Sequence, residues 1–210
     1  MKELDLLKKD WKKNENSFEQ VSEKEIYKMI HKKSSSIVKW ILIISILEVL
    51  LWTCLSLCFN SDDYLIKINH SELIAYFEVL TIFNYGVILV FIYLFYKNYI
   101  TISTTASTKQ LMKDILKTRK TVQYYVWYNL GMIVLSLIIG FVIAFAYNPE
   151  VNALRHKIAS DSKIMAITIG ILLLTIVAFF GAFWLFYRLI YGILLRKLYA
   201  NYKELKKIDL

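Results

Sequence analysis

The chain has 210 residues, of which 57% are hydrophobic and 20% charged, with a formal net charge of +9 and a mean hydropathy of +0.46. Ordinary soluble domains are about 45–50% apolar, so this excess of apolar residues is typical of a membrane protein. One Pro and six Gly exclude collagen-like and Pro/Gly-rich disordered chains, and two Cys exclude a disulfide-rich scaffold.

The apolar residues fall in four blocks separated by charged stretches. A helix that crosses roughly 30 Å of hydrocarbon needs about 20 mainly apolar residues, and each block is long enough. We therefore predict an all-α fold, an integral membrane four-helix bundle over residues 37–187. Its spans are residues 37–59, 73–96, 124–147 and 164–187.

Basic residues predict the orientation of these spans. Of the 26 Lys and Arg, 22 precede or begin the first span, lie between the second and third spans, or follow the fourth. Loops rich in Lys and Arg stay in the cytoplasm. We expect a multi-pass protein of the bacterial inner membrane with both termini in the cytoplasm. This orientation of the basic loops accounts for the positive net charge. Direct binding of nucleic acid is therefore not predicted.

The cytoplasmic segments are expected to extend the membrane helices as one packed stalk. Residues 1–36 form an N-terminal segment, flexible over 1–21 and helical over 22–36. A helical connector covers residues 97–123, and a C-terminal helix covers residues 188–210. The alternative is that these basic segments lie flat on anionic lipid.

Local sequence signals mark where the stalk helices begin and which face they bury. Ser22 and Glu25 fit a capping box, and Ser107 and Gln110 fit a second one. The C-terminal helix carries a heptad-like seam, about two repeats long: Tyr191, Leu195, Leu198, Tyr202 and Leu205.

The N-terminal segment is the predicted contact surface for a protein partner. Apolar side chains on a charged segment can bind to the surface of a protein partner. We predict this role for Trp11, Phe18, Ile26 and Ile30. Trp11 and Phe18 could instead fold back onto the stalk or enter the lipid headgroups.

Five polar residues fall inside the predicted spans: Glu48, Glu78, Asn84, Ser136 and Thr175. Counted from the span edges, Glu48, Asn84, Ser136 and Thr175 lie at one depth, which predicts a polar layer with a hydrogen bond between Glu48 and Asn84. Intramembrane carboxyl groups often mark ion or proton paths. Hydrogen bonding between helices is the role that we favour, because Gly is sparse and the one Pro lies outside the spans, unlike in the broken helices of transporters.

No enzymatic chemistry is indicated. The three His lie on two predicted sides of the membrane, and the zinc, phosphate-loop, dinucleotide and nucleophile-elbow motifs are absent from the sequence. We predict no catalytic residue, no metal site and no cofactor.

The start of the chain resembles a family of small four-span proteins of flavobacteria and their relatives. The resemblance lies in residues 10–13 (DWKK), in residues 22–40 with their KKSSS turn, and in Glu48. Its layout is similar to that of membrane-bound anti-sigma factors, which implies a sigma factor as a partner. Members often carry the label β-carotene oxygenase. Carotenoid-cleaving dioxygenases hold iron with four His, so that label does not fit a chain with three.

The sequence thus favours a non-enzymatic protein that binds or regulates a cytoplasmic or membrane partner through its N-terminal segment and stalk. A structural or accessory subunit of a larger membrane complex is the alternative. A proton- or ion-coupled transporter that uses Glu48 and Glu78 is a third. A homo-oligomer is compatible with each of them.

Overall fold

The computed structural model describes residues 22–58 and 65–208, and its secondary structure there is helical. Four helices are long and apolar enough to cross a membrane, which confirms the all-α class and the helical nature of the four predicted blocks. The helices are α1 (Glu23–Cys58), α2 (Glu72–Thr104), α3 (Thr108–Tyr147), α4 (Asn152–Ser160) and α5 (Ser162–Ile208), with a 3₁₀ turn at Pro149–Val151.

The four long helices form a ring. Helix α1 packs against α2 and α5, and α3 packs against the same two helices from the opposite side. The short helix α4, which was not predicted, packs on α5. One end of this ring, which we call the stalk, is formed by parts of α1, α2, α3 and α5. These parts lie within residues 22–36, 97–123 and 188–208.

The two predicted capping boxes have different outcomes. At the start of α1 the Ser22 backbone N–H donates to Glu25 Oε2 at 3.0 Å, and the Glu25 N–H donates to Ser22 Oγ at 3.3 Å. The hydrogen bond from the Ser22 backbone holds the pKa of Glu25 below its usual value. At Ser107 the predicted box is wrong, because α3 begins there without a side-chain cap. Gln110 donates to Asp114 Oδ1 at 3.0 Å instead.

The hydrophobic core lies in the stalk and the adjoining part of the bundle. In the most apolar window of α5 no residue is buried. In its predicted seam, by contrast, Tyr191, Leu198 and Leu205 are at most 1% exposed. The stalk therefore packs as an ordinary water-soluble helical core. The core side chains of the other helices are Ile30, Ile37, Val38, Ile41, Phe95, Ile102, Leu111, Ile115, Val122, Tyr125 and Leu130.

Polar side chains join the stalk helices inside this core. The Asn201 amide of α5 donates to Ser34 Oγ of α1 at 2.9 Å, and both residues are fully buried. At the turn between α2 and α3, Thr105 Oγ1 donates to Asp114 Oδ2 at 3.1 Å. The Tyr27 hydroxyl of α1 donates to the Thr105 carbonyl at 3.0 Å, and desolvation raises the pKa of Tyr27. These contacts connect all four long helices at one end.

The opposite end of the ring has a smaller apolar cluster. Leu65 and Ile68 pack against Ile143 of α3. The His70 ring lies 4.1 Å from the Tyr147 ring, centroid to centroid, and His70 Nδ1 contacts Glu72 Oε1 at 2.6 Å. These contacts connect the start of α2 to the end of α3.

The buried pair between α1 and α5 can be tested by substitution. We expect Asn201→Leu to lower the free energy of unfolding by about 1–2 kcal/mol, because the buried Ser34 hydroxyl loses its partner. Adding Ser34→Ala to Asn201→Leu should restore most of the loss, since both polar groups are then removed. Thermal unfolding in a mild detergent measures this, with Glu204→Leu on the exposed face of α5 as the control. Equal stability of Asn201→Leu and the control would contradict the assignment.

Candidate functional site

Glu48 is the most heavily hydrogen-bonded carboxyl group in the described residues. Three tyrosine hydroxyls donate to it: Tyr187 to Oε1 at 2.5 Å, Tyr191 to Oε2 at 2.9 Å and Tyr125 to Oε2 at 3.0 Å. Glu48 is 6% exposed and the tyrosines at most 2%. A carboxylate has about four acceptor positions on two oxygens, so it can accept all three hydrogen bonds at once.

The helix periodicity explains why these side chains meet. Glu48 continues the buried stripe of Ile41 and Ser45 on α1. Tyr187 and Tyr191 are four residues apart and so lie on one face of α5. Tyr125 continues the buried face of α3. One carboxyl group from α1 therefore joins two other helices of the ring.

Aromatic rings enclose this cluster. The Tyr125 ring packs edge-on against Phe91, Phe95 and Tyr191, with centroids 5.4–5.8 Å apart. Such edge-to-face pairs each contribute about 0.5–1.5 kcal/mol beyond their buried area. The rings hold the hydroxyl of Tyr125 in position and keep water away from the carboxyl group.

The predicted hydrogen bond between Glu48 and Asn84 is wrong, and so is the predicted common level of Glu48 with Ser136 and Thr175. Tyr125 lies near the stalk-side edge of the third predicted span, Tyr187 at that edge of the fourth, and Tyr191 beyond it. Glu48 is therefore level with the stalk-side edges of the third and fourth predicted spans, although it lies in the middle of the first. The depths were predicted by counting residues from the start of each span, on the assumption that every span begins at its first apolar residue. The first apolar residues of the α1 block, however, pack in the stalk core. Asn84 Oδ1 accepts instead from the Tyr128 hydroxyl at 3.0 Å.

A cavity of about 510 Å³ lies among the four long helices on the far side of the cluster from the stalk. Tyr125 and Tyr187 form part of its wall, so the cavity begins where the Glu48 cluster ends. Most of the wall is apolar, which is typical of a small-molecule site. Its polar lining residues are Ser56, Thr81, Asn84, Tyr85, Asn129 and Ser136.

The other predicted polar residues separate in the structure. Asn84 and Ser136 line the cavity, so part of the predicted layer exists. The Thr175 hydroxyl donates to the Ile171 carbonyl of its own helix at 2.9 Å. Glu78 is exposed, and neither it nor Thr175 is part of the cavity wall.

The predicted partner-binding residues divide in a different way. Trp11 and Phe18 lie outside the described residues. Ile30 is 4% exposed, and Ile26 packs against the same core. Both isoleucines thus serve packing within the chain, because the helix turns this apolar face inward, and in this conformation they are not available to a partner.

The tyrosine partners of Glu48 were missed by reasoning from the sequence. The sequence pattern puts Tyr191 in the seam of the C-terminal helix and ends the fourth predicted span at residue 187, without a link from either residue to Glu48. The available signal was that Tyr, unlike Leu or Phe, needs a hydrogen-bond partner when buried. Within the described parts of the chain, no group of three His, Cys, Asp or Glu side chains could hold a metal ion.

The Glu48 cluster predicts a graded set of stability effects. We expect Tyr187→Phe to lower the free energy of unfolding by about 1–2 kcal/mol, because one hydrogen bond is lost. Glu48→Leu should lower the free energy of unfolding further, since three buried hydroxyls lose their acceptor. Glu48→Gln keeps an acceptor, so its stability should lie between those of Tyr187→Phe and Glu48→Leu. Unfolding in mixed detergent micelles gives the values.

Tyr124→Phe is the matched control, because Tyr124 is the sequence neighbour of Tyr125 and is 58% exposed. It should leave the stability within about 0.5 kcal/mol of the original chain. If Glu48→Leu were as stable as Tyr124→Phe, the cluster would not hold the bundle together.

Comparison with known proteins places this arrangement in a family. No match is found among the curated proteins or among the solved structures. One family model, described as a domain of unknown function (DUF8845), matches residues 24–210, which include the stalk, the Glu48 cluster and the cavity. The chain therefore belongs to the DUF8845 family.

Proposed function

We propose that this chain is a non-enzymatic inner-membrane protein that binds or regulates a protein partner through its N-terminal segment and stalk, with both termini in the cytoplasm. The observation that carries this proposal is the stalk itself. The side chains of its core are as deeply buried as those of a soluble helical protein. Leu111, Ile115, Leu198 and Leu205 are fully buried. A rigid projection of this kind can present a partner surface at a fixed distance from the membrane.

The contacts of the stalk support a scaffold role. A buried hydrogen bond connects α1 to α5, and a partly buried one connects α1 to the turn between α2 and α3. Segments that lie flat on lipid would have exposed these residues, because such helices bury one face in the headgroups. The start of α1 is thereby held in place.

Two classes of protein partner are compatible with the proposal. The resemblance of the N-terminal run to a layout used by membrane-bound anti-sigma factors favours a sigma factor. A larger membrane complex, with this chain as an accessory subunit, is the other partner class. Both use the same attachment region, and one purification experiment separates them.

The test compares the full-length chain with a Trp11→Ala/Phe18→Ala variant, each purified in mild detergent from the native host. We expect a protein to co-purify with the original chain and to fall about tenfold or more in the variant, because aromatic anchors dominate binding energy. Mass spectrometry of the co-purified material shows whether it is a sigma factor or a membrane complex.

Phe83→Ala/Trp127→Ala is the control, since it removes the same residue types from exposed positions of α2 and α3. It should retain the partner. Loss of the partner in both variants, or its absence from the original chain, would overturn the proposal.

The alternative of a proton- or ion-coupled transporter has less support. Glu48 already accepts three hydrogen bonds, and the cavity wall includes neither Glu48 nor Glu78. The cavity therefore does not join the two carboxyl groups into one path. We therefore assign Glu48 a structural role.

The cavity favours a second candidate function, the binding of an uncharged, largely apolar molecule with a hydrogen-bonding group. Aromatic and aliphatic side chains from all four long helices surround it, and the Asn129 and Ser136 side chains add polar atoms to its wall. A lipid-soluble metabolite fits this chemistry better than an ion, because no charged side chain is part of the wall.

A filling substitution tests this second function. We expect organic extraction and mass spectrometry of the purified protein to identify a bound molecule that Ser136→Phe excludes. Leu135→Phe is the control, because Leu135 is 41% exposed and not part of the cavity wall. Equal recovery of the molecule from both variants would show that it binds elsewhere.

A further inference from the structure

We propose that a groove between the stalk parts of α1 and α5 binds an anionic phospholipid, with the lipid phosphate held by Lys32, Lys33 and Lys197. The groove has a volume of about 520 Å³. Its remaining lining residues are Met29, Ser36, Ile37, Trp40 and Leu194. Three lysines from two helices thus line the groove together with apolar side chains.

The contacts between helices place this groove at the base of the stalk. Asn98 of α2 lies 3.4 Å from Thr121 of α3, and the Arg119 guanidinium lies 4.2 Å from the Tyr199 ring of α5. Residues near 98, 120, 199 and 34 are therefore level with one another. Lys97, Lys120 and Lys197 all lie at this level, next to the apolar parts of their helices. This level is the expected position of the membrane surface.

Among the described residues, no carboxylate lies within ion-pair distance of the groove lysines. Across residues 22–58 and 65–208 the structure contains one ion pair by distance, between His70 and Glu72. Lys32, Lys33 and Lys197 are all exposed. Three lysines that line one groove, with no counter-ion among the described residues, form a site for a phosphate group, which accepts several charge-assisted hydrogen bonds.

Apolar stripes lead from these lysines toward the middle of the bundle. On α1, Lys33, Trp40 and Leu47 are seven residues apart and share a face, and Trp40 and Leu47 are more than half exposed. On α5, Lys197 is followed outward by Ile193 and Leu189 at four-residue spacing, which are 43% and 62% exposed. A ligand that satisfies both features has an anionic head and long apolar chains.

This combination favours a phospholipid over an acidic protein segment. An acidic peptide would neutralise the lysines but would leave the exposed Trp40, Ile193 and Leu189 without an apolar partner. Basic pockets between helices on the cytoplasmic side are a known mode of anionic headgroup binding, and each lysine near the surface adds to the attraction. Trp at this level also favours the interface.

The test is native mass spectrometry of the full-length protein in a non-ionic detergent, titrated with phosphatidylglycerol or with phosphatidylcholine of the same chains. We expect one phosphatidylglycerol to bind more tightly than phosphatidylcholine, and excess inorganic phosphate not to displace it. Lys32→Gln/Lys33→Gln/Lys197→Gln should weaken this binding about tenfold or more.

Lys113→Gln/Lys117→Gln/Lys120→Gln is the matched control, because it removes the same charge from exposed lysines of α3 that are not part of the groove. It should retain the tight lipid. Equal weakening in both variants would show diffuse attraction to charge, and unchanged binding in the groove variant would show another site. Either result overturns the proposal, as would displacement by inorganic phosphate.

A second measurement covers the apolar half of the site. In a variant that keeps Trp40 and replaces the other four Trp with Phe, phosphatidylglycerol brominated on its chains should quench Trp40 fluorescence more than brominated phosphatidylcholine. The preference should disappear in the groove variant. Equal quenching by the two lipids would contradict a specific site. Loss of protein-partner binding in the groove variant with lipid binding intact would instead identify the groove as a protein surface.

Discussion

The need to satisfy a carboxyl group in an apolar bundle determines how these helices align. Glu48 has no cation within ion-pair distance in the described residues, so its hydrogen bonds come from Tyr125, Tyr187 and Tyr191. Removing any helix from this contact would leave a polar group in apolar surroundings, which costs several kcal/mol. A slide of α1 along α5 by one turn would break the same hydrogen bonds. The cluster therefore fixes the relative height of the helices, while apolar packing alone would tolerate several registers.

The two ends of the bundle differ because their packing has different physical origins. In the stalk, water drives Leu111, Ile115, Leu198 and Leu205 together, and these side chains are fully buried. In the apolar part, lipid chains would solvate Leu and Ile as well as a neighbouring helix does, so there is little hydrophobic driving force for close packing. The cavity lies in that second region and the core in the first. A well-packed stalk thus supports a bundle that leaves internal space.

How much the sequence could predict depends on the range of each signal. Apolar blocks, the Ser22–Glu25 cap and the seam through Leu198 and Leu205 depend on local spacing, and the structure confirms them. The partner of Glu48 depends on the height of one helix against another, which span counting assigned incorrectly by assuming equal starts. The Ser107–Gln110 cap failed for a related reason: Asp114, one turn further along, competes for the Gln110 amide. Contacts made between helices were beyond the reach of local rules.

The same two helices carry most of the features that matter for binding. Helices α1 and α5 share the Glu48 hydrogen bonds, the pair of Ser34 and Asn201, and the lysine groove. A molecule that binds one of these places changes the others only if it favours one relative position of α1 and α5 over another. The cavity and the groove lie on opposite sides of the Glu48 cluster along these helices. A ligand in the cavity would therefore act on the stalk through the tyrosine hydroxyls, whose direction toward Glu48 depends on the position of α5. This makes the tyrosine cluster the physical connection between the apolar part of the bundle and the stalk.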